Sequence, residues 1–483
     1  MKKFMKLLIP AMILVMIAAA FSVFSQAAAA EPLPDKVIYI ATTSRGLGDG
    51  SSPENAMGNE DDYAQVLADE MVSGTGSTAR KKHALRNAYV AATAKGEGEG
   101  ADYLYKNVTI VLVEDILCEV ADAYRASPAE WTLSNPGAPT VITVTSKYNG
   151  TDYGAKLILD RTKFPSINMR LNTATIWKDL AVEYRTSETV VMGAGWEPEY
   201  MIECAAAPFT VESTVTVTSK DYTDPAAVKD GTRYPAILGG DRYSASYTNG
   251  KDAKVTIKGG TWGNVYAGSY GMTAEHNGNL KSAELTIEGG KIGCVFGGTG
   301  EERVVSTIDE NSTVTIKGGE IAKVCALSGG GVIGICTVKV VGAPKIGELY
   351  AMSDVYLGVD PTFYALDLTE CTAEKATMDQ WYLDNAGCFP EMEIKLPTGY
   401  EVPKIPEATV APETTVTPET TATPETQAPA ESEDEEPKAT NAPVTPDNDK
   451  EEGGSNVGLI IGIVAAVVVV AVVVVVLLKK KKA

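Results

Sequence analysis

The chain has 483 residues, 44% of them hydrophobic and 22% charged, with 45 Gly, 2 His and a formal net charge of −21. That length is ample for a buried core, which excludes wholesale disorder and a small disulfide-stapled scaffold alike. The acidic balance argues against nucleic acid, whose phosphates demand a basic surface, and two histidines leave little material for histidine-rich metal sites.

In chain order, residues 1–30 pass from a basic start (Lys2, Lys3, Lys6) through the apolar stretch Leu7 to Phe24 to the small-residue run Ala27 to Ala30. This layout predicts a secretory signal peptide cleaved within the alanines, so that the mature chain begins near Glu31. Within residues 31–107 the apolar run Val37 to Ile40 is followed by two stretches of helical composition, Asp61 to Met71 and Ala79 to Ala94, which end at Gly74 and Gly96. Alternating apolar runs follow at Val108 to Val113, Val141 to Thr145, Lys156 to Leu159, Thr175 to Val182 and Val215 to Thr218. Their spacing is compatible with one coil of a solenoid per roughly 20–35 residues.

Four later segments can be laid over one another. They begin Val255-Thr256-Ile257-Lys258-Gly259-Gly260, Leu285-Thr286-Ile287-Glu288-Gly289-Gly290, Val314-Thr315-Ile316-Lys317-Gly318-Gly319 and Val338-Lys339-Val340-Val341-Gly342-Ala343, with starts 30, 29 and 24 residues apart. Each alternates apolar and polar and then meets a turn, which reads as strand then tight turn. A second short strand follows at Trp262 to Gly268, Ile292 to Gly298, Ile321 to Leu327 and Ile346 to Met352, the fourth copy carrying one extra residue near Pro344. One such unit cannot bury its own apolar face, so stacking is expected to bury Val255, Ile257, Trp262 and Val265 against their counterparts. The outward column Lys258, Glu288, Lys317 then sets opposite charges one strand spacing apart, about 4.8 Å. The solenoid is expected over 108–352 and a C-terminal cap over 353–402.

Residues 403–456 repeat Pro, Glu and Thr, with 13 Asp/Glu against three Lys, and read as a disordered stalk. Extended as polyproline they would reach about 170 Å, and as a flexible coil about 40 Å. Residues 457–478 hold the uncharged run Gly458 to Leu478, 21 residues long and sufficient to cross a bilayer as a helix. Lys479 to Lys482 follow, so the tail 479–483 is expected in the cytoplasm and the rest outside. The expected localisation is the cell membrane, single-pass, with the N-terminal domain extracellular.

The repeat V-T-I-x-G-G-x-I-x-x-V-Y-x-G resembles bacterial cell-surface proteins of the right-handed parallel β-helix, or pectin-lyase-like, class. The entry segment Val37-Ile38-Tyr39-Ile40 with Gly48-Asp49-Gly50-Ser51-Ser52-Pro53-Glu54-Asn55-Ala56 is similar to theirs, as is the rung Thr175-Ile176-Trp177-Lys178-Asp179-Leu180-Ala181-Val182. The likeness covers residues 37 to about 370. It implies an all-β, right-handed parallel β-helix solenoid whose entry segment and N-terminal helices, residues 31–107, cap the open strand edge, and the chain's own composition adds the disordered stalk and one C-terminal transmembrane helix. It says little about activity, because the fold hosts lyases, hydrolases and adhesins.

Chemistry is sparsely written. The seven cysteines form no C-x-x-C pair, so zinc and redox motifs are absent; Cys371 with Cys388 is the expected disulfide, and the others read as small apolar fill. His83, beside Arg80, Lys81 and Lys82, and His276, in the loop between the first two repeats, read as solvated histidines. Gly46-Leu47-Gly48-Asp49-Gly50 lacks the spacing and the following helix of a dinucleotide loop. The outward columns Thr256, Thr286, Thr315 and Lys258, Glu288, Lys317 stack no carboxylates, whereas lyases of the resembled class hold calcium on several Asp and hydrolases need paired carboxylates. No cofactor is therefore expected, and calcium has no residue pattern to support it. Asp221, Asp224, Asp230, Arg233, Asp241 and Arg242 form the best acidic and basic cluster, against a solvated loop. The second-strand column Tyr266, Phe296, Cys325, Tyr350 alternates with Val265, Val295, Val324 and Leu349 and so points outward, where aromatic faces would stack sugar rings. The alternative is that the loops 269–283, 299–312 and 328–336 fold over this column and bury it.

The function expected is a non-catalytic, membrane-anchored surface protein that acts in adhesion or glycan binding along the solenoid face. Its partners would be the membrane and an extracellular polysaccharide or a host or neighbouring surface. The alternatives are a membrane-tethered polysaccharide lyase or glycoside hydrolase, and a passive spacer.

Overall fold

The structure is a computed structural model that describes residues 33–404 apart from 74–76, 99, 120–137, 161, 163–167, 186–200, 221–233, 242–247, 272–278, 302–305, 327–331, 351–362 and 387–392. The chain divides into two units, Met1–Ala408 and Thr409–Ala483, and the second lies wholly outside the described residues. So do the expected signal peptide at 1–30, all but the first two residues of the expected stalk at 403–456, and the expected membrane span at 457–478. Among the described residues no helix is long and apolar enough to cross a membrane.

The first unit is all-β and mainly parallel, which fits a β-helix-like solenoid. Twelve strands form one long sheet in the order Met57–Asn59, Lys36–Thr43, Asn107–Leu112, Val141–Thr145, Thr175–Trp177, Phe209–Val211, Asp252–Ile257, Ser282–Ile287, Ser312–Ile316, Ile335–Gly342, Phe363–Cys371 and Glu393–Lys395. A four-stranded sheet stacks Ile116–Cys118, Lys156–Asp160, Ala181–Arg185 and Thr216–Ser219. A seven-stranded sheet runs from Asn168–Arg170 through Met201–Glu203, Ala236–Leu238, Thr261–Tyr266, Lys291–Phe296 and Glu320–Cys325 to Lys345–Tyr350.

The apolar columns explain the stacking. Ile38, Ile110, Val144, Trp177, Val211, Ile257, Ile287, Ile316 and Val340 are register partners from one strand of the long sheet to the next. All are buried, at 2% exposure or less. Met169, Ile202, Ile237, Val265, Val295, Val324 and Leu349 form the facing column of the seven-stranded sheet, and both columns belong to one continuous core. Burial of each such side chain contributes about 1.5–3 kcal/mol.

The glycine pairs set the corner between the two sheets. Gly260, Gly290 and Gly319 have φ of 84°, 90° and 93°, a region that favours glycine. The glycine before each is needed for close approach: a Cβ on Gly289 would meet the Lys258 carbonyl oxygen at 2.5 Å, and one on Gly318 the Glu288 carbonyl oxygen at 2.4 Å. The repeat is thus a register lock, each turn nesting into the one before it.

The structure differs from the expected organisation in three places. The run Thr175 to Val182 is two strands in two sheets, bent at Asp179, whose φ is 46°. The second helical stretch splits into Ser77–Lys81 and Ala84–Ala92 because His83 adopts extended backbone as the N-cap of the latter. We call the helices Tyr63–Ser73, Ser77–Lys81 and Ala84–Ala92 α1, α2 and α3, and Lys375–Ala386 α4. Beyond residue 352 the long sheet gains two more strands, Phe363–Cys371 and Glu393–Lys395, with α4 between them and packed on Lys345–Tyr350.

Candidate functional site

The seven-stranded sheet carries one outward column along its whole height. Arg170, Glu203, Leu238, Tyr266, Phe296, Cys325 and Tyr350 are successive register partners. Strand alternation turns this column away from the Met169-to-Leu349 column that faces the core. Leu238 and Tyr266 accordingly join a separate small cluster with Ala236 and Tyr270, against which Phe296 packs.

The aromatic part of the column is a closed stack at one end and partly open at the other. Tyr266 and Phe296 stack with ring centroids 4.7 Å apart and planes 13° from parallel, and Tyr270 meets Tyr266 edge-on at 5.9 Å. Tyr266 is only 5% exposed, which is the buried alternative to an open ring strip. With Phe296 stacked on the ring, Tyr270 edge-on to it and so little of the residue exposed, no ring face is left for a sugar. Phe296 and Tyr350 are half-buried, and the Lys323 ammonium lies 5.3 Å from the Tyr350 ring centroid.

At its other end the column turns ionic. Arg170 Nη2 lies 2.6 Å from Asp241 Oδ1 and 3.0 Å from Glu203 Oε2, and its Nε donates to Glu203 Oε2 at 3.1 Å. The three residues are 2%, 0% and 1% exposed. Asp241, expected in a solvated loop, is therefore a buried partner of Arg170. The Asp241 backbone N–H also donates to Ser269 Oγ at 3.2 Å. Asp221, Asp224, Asp230, Arg233 and Arg242 lie outside the described residues. Sequence reasoning missed Arg170 and Glu203. Their signal is a single charge inside otherwise apolar strand sequence, Met169-Arg170-Leu171 and Ile202-Glu203-Cys204.

A groove of about 540 Å³ lies at the opposite end of the same strands, where they leave the glycine corner. Its floor includes Ala322 and Gly347, and Lys291, Glu320, Lys345 and Glu374 stand around it. Lys291, Glu320 and Lys345 are register neighbours, yet among the described residues none closes an ion pair within 4.0 Å. Elsewhere such neighbours do: Lys317 Nζ lies 3.0 Å from Glu288, Lys258 3.0 Å from Glu212, Lys254 3.2 Å from Glu284 and Lys339 2.5 Å from Glu370. Of the expected ladder on the long sheet, Glu288 pairs with Lys317 whereas Lys258 turns to Glu212 on the preceding rung, and at the groove the pairing stops.

No family model, no curated protein and no solved structure matches this chain.

The remaining sequence candidates resolve as packing. His83, expected in solvent, is 5% exposed, and its Nε2 lies 3.0 Å from the Leu117 carbonyl oxygen. Burial holds its pKa below the usual histidine value. His276 and Cys388 lie outside the described residues, and Cys371 is a buried free thiol. Burial pushes the Cys118 and Cys336 thiols up to about 12, which leaves them inert as nucleophiles at neutral pH. Among the described residues no three His, Cys, Asp or Glu side chains converge to hold a metal ion.

Proposed function

We propose that the chain is an exported, membrane-anchored surface protein that binds an extended glycan along its solenoid face, without catalysis. We infer further that its solenoid is of the right-handed parallel β-helix, pectin-lyase-like class found on bacterial surfaces. What supports display at a surface is the basic–apolar–alanine start, the Pro/Glu/Thr stretch and the uncharged run before Lys479. What supports the fold class is the glycine-locked parallel stacking.

The observation that carries glycan binding is the groove rimmed by Lys291, Glu320, Lys345 and Glu374. Ammonium groups that find no cross-rung carboxylate can donate to sugar hydroxyls, and the uncommitted carboxylates can accept from them. Phe296 and Tyr350, half-buried at the other end of the same strands, do not line the groove.

One observation favours the alternative, a membrane-tethered polysaccharide lyase or glycoside hydrolase: Glu203 and Asp241 converge on Arg170. Exposures of 2% or less leave a substrate no access to that triad, and the non-catalytic reading is preferred. A polysaccharide pull-down with the full-length chain, monitored for unsaturated or reducing ends, tests the choice. Retention without product that is lost in Lys291→Ala/Glu320→Ala/Lys345→Ala supports glycan binding. Product release overturns it, and so does retention that the triple variant leaves unchanged.

A further inference from the structure

Tyr39 alternates with the core residues Ile38 and Ile40 and so faces outward from the strand Lys36–Thr43, far along the chain from the groove and independent of the glycan reading. Its column continues through Val111 to Thr145, where the chain leaves the long sheet in an antiparallel hairpin, Lys147–Tyr148 against Thr151–Asp152. Asn149 and Gly150 at the tip have φ of 48° and 81°, the left-handed pair that a two-residue hairpin turn demands. The Thr145 hydroxyl pins the base, accepting from the Lys147 N–H at 3.0 Å and donating to the Lys147 carbonyl oxygen at 3.1 Å. The Tyr153 N–H donates to the Ser146 carbonyl oxygen at 2.9 Å. Held in this way, the hairpin packs back on Asn107–Leu112 and brings Tyr148 to Tyr39, with ring centroids 6.1 Å apart and planes at 83°.

Tyr39, Tyr148 and Tyr153 are all half-buried. Burial pushes the Tyr39 pKa up, and the Tyr153 and Tyr148 hydroxyls and the Glu54 carboxylate raise it further, so their polar ends lie within electrostatic reach of Tyr39. Glu54 stands on the loop that the Tyr39 N–H holds through the Gly50 carbonyl oxygen at 2.9 Å. Hydrogen bonds from its own backbone N–H and from the Ser52 side chain keep its carboxyl below the usual glutamate range, and hence charged. Among the described residues it closes no ion pair with a Lys or Arg within 4.0 Å.

Rings set at right angles make no flat platform for a pyranose, but they are adjoining walls for a rounded ligand. Their negative faces attract a cation, most strongly one that gives up little hydration on entering. A trimethylammonium group meets both conditions, since its charge is spread over methyl groups and it has no N–H to satisfy. A primary ammonium is a strongly hydrated point charge that would need acceptors in the walls. A divalent metal is the poorer fit, because no three His, Cys, Asp or Glu side chains converge among the described residues. We propose that Tyr39, Tyr148 and Tyr153 form an aromatic cage for a quaternary ammonium group of the trimethylammonium type, with Glu54 as its counter-charge.

Calorimetric titration of the full-length chain, held in a non-ionic detergent, with choline and with phosphocholine tests this, and ethanolamine serves as the primary-amine comparison. The two quaternary arms separate a free amine from a phosphate-linked headgroup, since both carry the group the cage takes. The expected result is saturable binding of one or both at a single site, about tenfold tighter than ethanolamine. Tyr148→Ala, on a hairpin outside the buried columns, is expected to weaken binding about tenfold, and Glu54→Gln, on an exposed loop, severalfold. Tyr148→Phe keeps the ring face and should bind as the parent chain does. Absence of binding by both quaternary amines overturns the proposal, as does ethanolamine bound as tightly as choline, or affinity that Tyr148→Ala and Glu54→Gln both leave unchanged. A loss in Tyr148→Phe as large as in Tyr148→Ala overturns it as well, because the hydroxyl and not the ring would then hold the ligand.

Discussion

Between Val141 and Asp241 each coil passes through three sheets, whereas between Asp252 and Tyr350 each coil has two long strands and closes its third side with single bridges, Leu280 to Ile308 to Val332. The two halves also handle polar groups differently. In the first, Arg170, Glu203 and Asp241 are buried together, along with Asn172, Thr173 and Thr175. In the second, charge stands outside in cross-rung pairs, and the interior is held by glycine turns and apolar columns. To the apolar columns that run through both halves, the first half thus adds buried charged partners, and the second a repeated backbone geometry that any copy can supply.

Breaking the ionic partners should have the largest effect. Arg170→Met removes the guanidinium that the buried carboxylates Glu203 and Asp241 share, at an expected cost of about 3–5 kcal/mol. The triple change Arg170→Met/Glu203→Gln/Asp241→Asn should restore most of it, read from urea unfolding midpoints. A single variant that loses less than about 1 kcal/mol would show that the three do not act as a unit.

Glycine substitutions sharpen the contrast between backbone and side-chain control. Gly290→Ala combines positive-φ strain of about 1–2 kcal/mol with overpacking of typically another 1–3 kcal/mol, since the new Cβ would meet the Gly260 carbonyl oxygen at 2.8 Å. Gly150→Ala, at φ 81° but with nothing within 4 Å, should cost only the strain. Equal losses in thermal melts would refute the nested-turn account.

Tyr266→Leu retains much of the apolar volume but removes the stack on Phe296. Beyond lost area it should cost about 0.5–1.5 kcal/mol, and near-UV circular dichroism should report the altered Phe296 and Tyr270 environment. No change in either signal would mean that the column is not packed as described.

Surface ladder pairs should matter least. Lys317→Ala is expected to cost under about 1 kcal/mol, and high salt should erase the difference. Glu183 supplies a pH test in the first half. Burial pushes its pKa up, but hydrogen bonds from Arg185 and Lys156 outweigh this and hold it below the usual glutamate value. A folded pKa below the unfolded one means a contribution fully present above the unfolded pKa and lost as pH falls through the folded value. The unfolding midpoint should therefore decline below about pH 4, and Glu183→Gln should make that decline shallower. An unchanged slope in the variant would assign the decline to other carboxylates.

The second half was nearly transparent in sequence. Period-two alternation, the glycine pairs and the one-residue insertion near Pro344 follow from local backbone rules, so residue order alone aligns the register partners Val255, Leu285, Val314 and Val338. The first half was legible only strand by strand. Val141 to Thr145 and Lys156 to Leu159 read as equivalent rungs, yet they belong to different sheets. Alternation reports which face of a strand is buried and says nothing about which sheet the strand joins.

The same boundary runs through the candidate sites. Sequence by itself determined that Tyr266, Phe296, Cys325 and Tyr350 share a column, because side-chain direction repeats every second residue. Tertiary structure alone decided that Tyr266 is closed by Tyr270 and Phe296, that Arg170 meets carboxylates 33 and 71 residues away, and that Tyr148 meets Tyr39 at right angles. Those neighbours are brought together by coils stacking at a fixed spacing. Their separation along the chain is set by the lengths of the loops between strands, which leave no periodic trace for a sequence to show.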